Sequence, residues 1–355
     1  MYAICMILFG SELYLTGALS SAYIYKSTMT RKQRSTIDLI CIVENTLYDM
    51  YKDILLKVFD KVYSITMDYI HLSDEYKHRL EKAGKYTPRL ASSYTNKWQS
   101  FGIVEYEKIL FMDMDIVPMN SNFFNVFELP TPAAMINPYP KHFTKYPEEV
   151  SSDEWFTKPI TKTLSAHNIK HSINGGIFLF SPSKELAGSY FRFLKAMQKP
   201  KGYSSLTGSF PDETSLILYF AGFLRKKIHI IPDFYSKAGW ESDKSRALSI
   251  NYLYAIKPWN IPPQMLYGSS DLLWIDALNA LMEKVVKLKF LKLIHAHNQL
   301  YTMYKKYGDC LLKDEPDFII KFISSIHERS TYEKLAKEKK FFDHIVSLAT
   351  SIKKC

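Results

Sequence analysis

The segment KILFMDMD, from Lys108 to Asp115, places a run of apolar residues directly before an acidic pair. A short apolar run bounded by charged residues is typical of a buried β-strand, so the pattern predicts a strand over Lys108–Met112. On an extended backbone, Asp113 and Asp115 would point to the same side, and two neighbouring carboxylates repel each other unless a cation lies between them. Oxygen ligands suit Mn²⁺ or Mg²⁺. The simpler alternative is an acidic turn that closes the strand.

The chain before this segment alternates short apolar runs with helical stretches. The expected strands are Ala3–Phe9, Ile37–Val43 and Lys61–Ile65, and the expected helices are Glu12–Lys26, Tyr48–Lys57 and Asn96–Tyr106. In the last helix, Trp98, Phe101 and Val104 are spaced to share one face. The alternation predicts an α/β fold of the Rossmann-like kind, with a mostly parallel sheet flanked by helices on both faces. In such sheets, ligands bind beyond the carboxyl ends of the strands.

Two later segments are poor candidates for regular structure. Asn137–Pro159 is rich in proline and charged residues, and Lys199–Pro211 is rich in Gly, Pro and Ser. Loops of this length inside a domain often bind substrate. After about residue 265 the apolar residues follow a helical period. We therefore expect a catalytic domain over residues 1–265 and a helical C-terminal extension over residues 266–355.

The composition excludes several classes of protein. The chain has 355 residues, of which 47% are hydrophobic, and this is too apolar for a disordered or collagen-like protein. Four cysteines are too few for a disulfide framework and indicate a reducing compartment. The sequence has no apolar run long enough to span a bilayer. These features predict a soluble, cytoplasmic protein.

The positive charge is concentrated near the C-terminal end. The chain carries 46 Lys+Arg against 36 Asp+Glu, a net charge of +10, and much of the excess lies after residue 281. A solvated helical face is the simplest explanation, and peripheral contact with an anionic membrane is the alternative. No segment resembles a motif that recognises DNA or RNA, so no nucleic-acid partner is expected. A homodimer stays an open alternative.

A second motif, SINGGIFLFSPS, runs from Ser172 to Ser183. Asn174 offers both a hydrogen-bond donor and an acceptor, and Gly175 and Gly176 would let the backbone approach a ligand closely. The alternative is an ordinary turn before a strand.

Two further motifs carry charged groups. In SFPDETSLILYF, Asp212 and Glu213 stand at the expected start of a helix, where capping alone would also explain the acids. In INYLYAIKPWN, Lys257 lies beside a rigid Pro-Trp turn, where its charge could hold a phosphate. The alternative for Lys257 is an ordinary surface lysine.

The order and spacing of these segments resemble glycosyltransferase family 8, the glycogenin-like retaining enzymes with the GT-A fold. The resemblance covers roughly residues 3 to 260. It rests on the opening strand and helix with Tyr14 and Gly17, on the helix that contains Lys97, and on the FMDMD, INGGIFLFSPS, PDE and IKPWN segments. It implies an enzyme that uses Mn²⁺, with Mg²⁺ as the alternative, and a UDP-sugar donor.

The resemblance also implies roles for residues around the nucleotide. Asp113 and Asp115 would bind Mn²⁺ and the UDP diphosphate, and Lys257 would hold the β-phosphate. Tyr14 would pack against uracil. Arg89 lies near the family's arginine, with a spacing one residue off.

Around the transferred sugar, the resemblance places a second group of residues. Lys97 would contact the sugar-nucleotide and Asn174 the donor sugar. Asp212 would lie close to the anomeric carbon, with Glu213 beside it. We count Asp212, Glu213 and Asn174 as the candidate catalytic residues.

Two departures from the family pattern stand out. The family's metal-binding histidine is replaced by Asn251, whose oxygen is a weaker ligand for Mn²⁺, and the family's Asp-Gln-Gly is Asp212-Glu213-Thr214 here. We expect a retaining hexosyltransferase, with glucose as the first guess for the sugar, acting on a hydroxyl of a glycan, lipid or protein acceptor. The alternative is a catalytically silent descendant of the same fold that binds nucleotide or glycan.

Overall fold

A computed structural model provides the three-dimensional description of the protein. It describes residues 1–10, 13–72, 74, 77–78, 81, 88–136, 149–150, 173–197, 211–224, 226, 228–238 and 246–252. The helical extension predicted for residues 266–355, the boundary at residue 265, Lys257 and most of the two predicted loops lie outside these residues.

Eleven strands and six α-helices have bounds within the described residues. The strands are β1 (Tyr2–Leu8), β2 (Ile37–Glu44), β3 (Lys61–Ile65), β4 (Lys108–Met112), β5 (Ile116–Pro118), β6 (Ala133–Ile136), β7 (Glu149–Val150), β8 (Ile173–Phe180), β9 (Ile228–Ile230), β10 (Lys237–Ala238) and β11 (Ser249–Asn251). The α-helices are α1 (Leu13–Thr28), α2 (Arg31–Arg34), α3 (Asn45–Leu55), α4 (Pro88–Ser93), α5 (Lys184–Met197) and α6 (Pro211–Ile217). Three 3₁₀-helices cover Tyr94–Gly102, Ser121–Glu128 and Asp233–Tyr235, and a π-helix over Leu218–Phe223 continues α6.

The larger sheet has eight strands in the order β3-β2-β1-β4-β8-β6-β9-β7. Strands β3, β2, β1 and β4 are parallel to one another, β8 is antiparallel to both β4 and β6, and β7 is antiparallel to β9. Six of the eight strands therefore run the same way, which confirms the predicted α/β fold with a mostly parallel sheet. Because β8 runs the other way, its first residues lie at the carboxyl edge of β4.

Apolar side chains on successive residues of β1 point to opposite faces of the sheet, and each face has its own core. Ile4 and Met6 pack with residues of α1 and α3 on one face. Ala3 and Cys5 pack on the other face, where the cluster includes Trp98 and residues of α5 and α6. The alternation of side chains along a strand thus lets one apolar strand serve both layers, and helices cover both faces as predicted.

Two local predictions were wrong in part. The helix predicted over Asn96–Tyr106 is a 3₁₀-helix over Tyr94–Gly102, which ends before Val104. Val104 is therefore exposed, whereas Trp98 and Phe101 are buried. The segment Asn137–Pro159, predicted to lack regular structure, contributes the short strand β7 to the sheet edge, where it pairs with β9.

A second, smaller sheet has the strand order β10-β11-β5, and its strand β5 directly follows the acidic pair in the chain. Ile116 of β5 pairs with Asn251 of β11 in antiparallel register. The backbone N–H of Tyr252 donates to the carbonyl of Asp115, at 2.8 Å. This sheet brings residues near position 250 to the end of β4.

No helix in the described ranges has both the length and the apolar character that a membrane span requires.

Candidate active site

The acidic pair occupies a turn between β4 and β5. The N–H of Ile116 donates to the carbonyl of Asp113, at 3.1 Å, and closes a four-residue turn. The expectation of an extended backbone through Asp113 and Asp115 was therefore wrong, since β4 ends at Met112. Asp113 nevertheless stays tied to the sheet, because its N–H donates to the carbonyl of Gly176 on β8, at 2.8 Å.

Two side chains of α1 hold this turn from the other side. The hydroxyl of Ser21 donates to the carbonyl of Met114, and the hydroxyl of Tyr25 donates to the carbonyl of Ile116 at 3.1 Å. The sequence interpretation missed both residues. The signal was the pair of hydroxyls four residues apart in a largely buried, apolar helix, a spacing that puts them on one side.

Removing the Tyr25 hydroxyl should destabilise the protein modestly. The variant Tyr25→Phe keeps the buried ring but leaves the Ile116 carbonyl without this donor, so the free energy of unfolding should fall by about 1 kcal/mol. Urea unfolding of the full chain measures the change. The matched control is Tyr48→Phe on α3, which should change stability by less than about 0.5 kcal/mol. Equal stability of the two variants would contradict a supporting role for the Tyr25 hydrogen bond.

Lys97 is buried at the centre of the site, with only 5% of its surface exposed. Its Nζ lies 2.8 Å from Asp212 Oδ2, 3.1 Å from the carbonyl oxygen of Gly175 and 3.2 Å from Asp113 Oδ1. Burial alone would lower the pKa of Lys97, but the carboxylates of Asp113 and Asp212 raise it above its usual range. Lys97 therefore carries a positive charge and joins the acidic turn to α6.

Asp113 lies at the open side of this cluster, and 39% of its side chain is exposed. The pKa of Asp113 is raised to about 6, because partial removal from water and the charges of Asp115 and Asp212 raise it more than Lys97 lowers it. The carboxylates thus repel one another even with Lys97 in place. A bound cation would relieve this repulsion.

The two glycines of β8 permit the close packing around these carboxylates. A Cβ atom added at Gly175 would lie 2.6 Å from Asp212 Oδ2, and one added at Gly176 would lie 2.8 Å from Asp113 Oδ2. Real Cβ atoms essentially never make contacts this short, so a side chain at either position would force a neighbouring group to shift. The alternative of an ordinary turn before the strand was wrong, because β8 begins at Ile173 and includes both glycines.

Backbone N–H groups of the glycine pair are bound by side chains of the site. The N–H of Gly175 donates to Glu213 Oε1 at 3.0 Å, and the N–H of Gly176 donates to Asn174 Oδ1 at 2.7 Å. These bonds fix the orientation of Glu213 and Asn174 at the carboxyl edge of β4. Both side chains are buried.

Asp212 and Glu213 occupy the first turn of α6. The helix begins at Pro211, a residue suited to the first helical position, so Asp212 lies inside the helix rather than at the N-cap. Asp212 is 97% buried, since only 3% of its surface is exposed, and its Oδ1 makes no hydrogen bond to the described part of the chain. Capping therefore does not explain the acid at this position.

Asn251 lies beside the acidic turn, opposite Ile116 in the smaller sheet. Side chains of residues directly opposite in antiparallel strands point to the same face of the sheet. The side chains of Asn251 and Ile116 therefore share one face of the smaller sheet. The Cδ1 of Ile116 and the Oδ2 of Asp113 both come within 3.0 Å of the position that a Cβ on Gly176 would take. Asn251 Oδ1 is buried and accepts no hydrogen bond from a described residue.

The donor set of Asp113, Asp115 and Asn251 fits Mn²⁺ or Mg²⁺ in type, since all three supply oxygen. A cation held here would give the buried Asn251 Oδ1 the partner that the described residues do not supply. In the described residues, no group of three or more His, Cys, Asp or Glu side chains is arranged to hold a metal. Ligand oxygens, such as those of a diphosphate, would have to complete the coordination.

Three further residues were predicted to bind the nucleotide, and the structure locates two of them, Tyr14 and Arg89, on helices. Tyr14 lies in the first turn of α1, two turns before Ser21. Its side chain is half-buried against the core on the face of the sheet that α1 and α3 cover. Arg89 belongs to α4, directly before the 3₁₀-helix that carries Lys97. Lys257 lies outside the described residues. The roles of these residues toward a ligand remain predictions.

The sequence matches no protein-family profile. It is 25% identical over 183 residues to "Uncharacterized protein R707" of Acanthamoeba polyphaga mimivirus. The matched region is 52% of this chain and 56% of the viral protein, so the similarity spans about half of either.

Among solved structures, the fold is similar to several glycosyltransferases. The bifunctional glycosyltransferase WbbM, in its apo form, has 14% identity and a TM-score of 0.48, over 78% of this chain and 49% of that one. The galactosyltransferase LgtC, in complex with donor and acceptor sugar analogues, has 10% identity and a TM-score of 0.47, over 79% of this chain and 96% of LgtC. GlyE of Streptococcus pneumoniae has 12% identity and a TM-score of 0.42, over 81% of this chain and 66% of GlyE. Structural similarity with TM-scores below 0.5 does not assign an activity to this chain.

Proposed function

We propose that the protein is a retaining glycosyltransferase of the GT-A type that transfers a hexose from a UDP-sugar to an acceptor hydroxyl and depends on Mn²⁺ or Mg²⁺. One observation carries the proposal. Lys97 joins the acidic turn to Asp212 at the carboxyl edge of the parallel strands, within 3.2 Å of a carboxylate on each side. This edge is where ligands bind in α/β sheets.

The site separates into two ends that match the two halves of a UDP-sugar. Asp113, Asp115 and Asn251 would hold the metal, which supplies positive charge against the diphosphate as it departs. Asp212, Glu213 and Asn174 would face the sugar, where their oxygens stabilise the positive charge that develops at the anomeric carbon. Lys97 keeps Asp212 and Asp113 at a fixed separation. The acceptor hydroxyl would attack on the face from which the diphosphate leaves.

The direct test is turnover of nucleotide sugars by the full chain. UDP-glucose, UDP-galactose and UDP-glucuronic acid are each incubated with the protein and Mn²⁺, and released UDP is measured, with and without simple glycoside acceptors. We expect release with at least one donor, and loss of release when the metal is removed with a chelator. UDP binding without turnover of any donor would reject the enzyme and support the silent, nucleotide-binding alternative.

The amide of Asn251 should contribute to metal affinity. In Asn251→Ala the oxygen donor is lost, so Mn²⁺ affinity measured in the presence of UDP should fall about tenfold, the lower end of the effect for groups around a metal site. Electron paramagnetic resonance of free Mn²⁺ measures it without requiring activity. Asn125→Ala, at an exposed position of a 3₁₀-helix, is the control and should leave the affinity unchanged. Equal affinities for the two variants would exclude Asn251 from the metal site.

A further inference from the structure

Two buried hydroxyl groups connect the first turn of α6 to helix α5. Tyr190 of α5 and Ser215 of α6 are both fully buried, and their hydroxyl oxygens lie 2.6 Å apart. Ser215 Oγ also donates to the backbone carbonyl of Asp212, at 3.0 Å. A serine hydroxyl carries a single proton, so Tyr190 must be the donor to Ser215. The bonds therefore run in one direction, from Tyr190 through Ser215 to Asp212, and we call these three residues the hydroxyl relay.

The first turn of α6 needs support from outside the helix. The helix has only seven residues before it widens into a π-helix. Short helices are held mainly by tertiary contacts. The carbonyl at which the relay ends belongs to the residue whose carboxylate is paired with Lys97, at 2.8 Å. Movement of this carbonyl would carry Asp212 and Glu213 with it.

We propose that the hydroxyls of Tyr190 and Ser215 are positioning groups, which fix the first turn of α6 and so hold the carboxylates of Asp212 and Glu213 against the backbone of Gly175. The catalytic consequence rests on the proposed glycosyl transfer, whereas the structural consequence does not. Tyr190 acts through Ser215 and touches no reacting atom itself. The Tyr190 ring packs against Phe101, with centroids 5.2 Å apart, and this contact survives removal of the hydroxyl.

The variant Tyr190→Phe separates the hydroxyl from the ring. We expect amide hydrogen exchange in residues 211–217 to become about fivefold faster, the equivalent of one lost buried hydrogen bond. If the protein turns over a UDP-sugar, kcat should fall about tenfold with little change in the donor KM, because the carboxylates are misaligned while donor contacts elsewhere remain.

Tyr219→Phe is the matched control. The Tyr219 hydroxyl lies 2.5 Å from that of Ser189, and its ring belongs to the same aromatic cluster, 5.1 Å from the ring of Tyr190. This variant loses a similar hydrogen bond that does not lead to Asp212. It should leave both kcat and exchange in residues 211–217 unchanged.

A double variant tests whether Tyr190 acts through Ser215. Tyr190→Phe combined with Ser215→Ala should exchange and turn over like Ser215→Ala alone, since the relay is already broken at Ser215. Additive effects, or exchange in Tyr190→Phe equal to that of the Tyr219→Phe control, would overturn the relay. If the unchanged protein turns over no UDP-sugar, the proposed function fails, and the exchange measurements still decide the relay by themselves.

Discussion

Replacing Lys97 by methionine is expected to lower the free energy of unfolding by about 3 kcal/mol, the cost of leaving a buried charge without its partner. Methionine has nearly the same length and is apolar, so packing near Phe111 is kept. What is lost is the ion pair with Asp212, whose side chain is only 4% exposed. Asp113 contributes less to the cost, because water reaches 39% of its side chain and screens the charge. Urea unfolding of the full chain measures the difference.

The chain offers a control with a similar ion-pair distance and a different burial. Lys26 Nζ lies 2.7 Å from Asp60 Oδ1, with side-chain exposures of 34% and 38%. Lys26→Met should therefore cost less than about 1 kcal/mol. In a second step, the double variant Lys97→Met with Asp212→Asn removes the unpaired charge and should recover part of the lost stability. Equal costs for the two lysine variants, or no recovery in the double variant, would show that the buried pair is not what stabilises this region.

Strands β1, β2 and β4 of the parallel half of the sheet could be predicted because they are nearly continuous apolar runs, whereas β3 contains Lys61 and Ser64 and is only partly buried. Lys61–Ile65 and Lys108–Met112 were predicted with the bounds that the structure shows, and β1 and β2 were predicted within one residue. A strand buried on both faces has this signature whatever its neighbours are. The direction of β8 has no such signature, since an apolar run does not say which way it lies beside β4.

The local geometry of the site depended on long-range contacts. Asp113 and Asp115 lie within one turn, and Ser21, Gly176 and Tyr252, which bind the backbone around them, lie far away in sequence. The sequence also could not predict that the segment carrying Lys97 is a 3₁₀-helix. A 3₁₀-helix differs from an α-helix mainly in its hydrogen bonding, which the spacing of apolar residues over one short segment does not reveal.

The residues of the site were easier to predict than their partners. Asp113, Asp115, Asn174, Asp212 and Glu213 were singled out from motifs, and the structure brings these residues to one edge of the sheet. The pairing of Lys97 with Asp212 has no local pattern, and the Tyr190–Ser215 contact has none either, because each joins distant segments. Motifs indicate which groups a site contains, whereas the ion pairs and hydrogen bonds that orient them follow from the packing of the whole domain.

Gly175→Ala is expected to lower the proposed transferase activity about 100-fold, the effect of a catalytic group misplaced by about 1 Å. The new Cβ would lie 2.6 Å from Asp212 Oδ2 and 2.9 Å from Glu213 Cγ. Asp212 cannot simply swing aside, because its carboxylate is buried and paired with Lys97 at 2.8 Å. Either the carboxylate or the backbone of β8 must therefore move. We expect an accompanying loss of about 1–3 kcal/mol in the free energy of unfolding, typical of overpacking.

Gly188→Ala on α5 is the matched control, because it makes the same substitution without the clash. The nearest atom to its new Cβ is Arg192 Nη1, at 3.4 Å, the end of a flexible side chain. Alanine inside a helix should stabilise the protein by about 0.5–1 kcal/mol and leave activity unchanged. Both variants are compared by kcat/KM for whichever UDP-sugar is turned over and by urea unfolding. Unchanged stability in Gly175→Ala would mean that Asp212 does not lie against β8, and full activity despite a stability loss would remove Asp212 from the catalytic site.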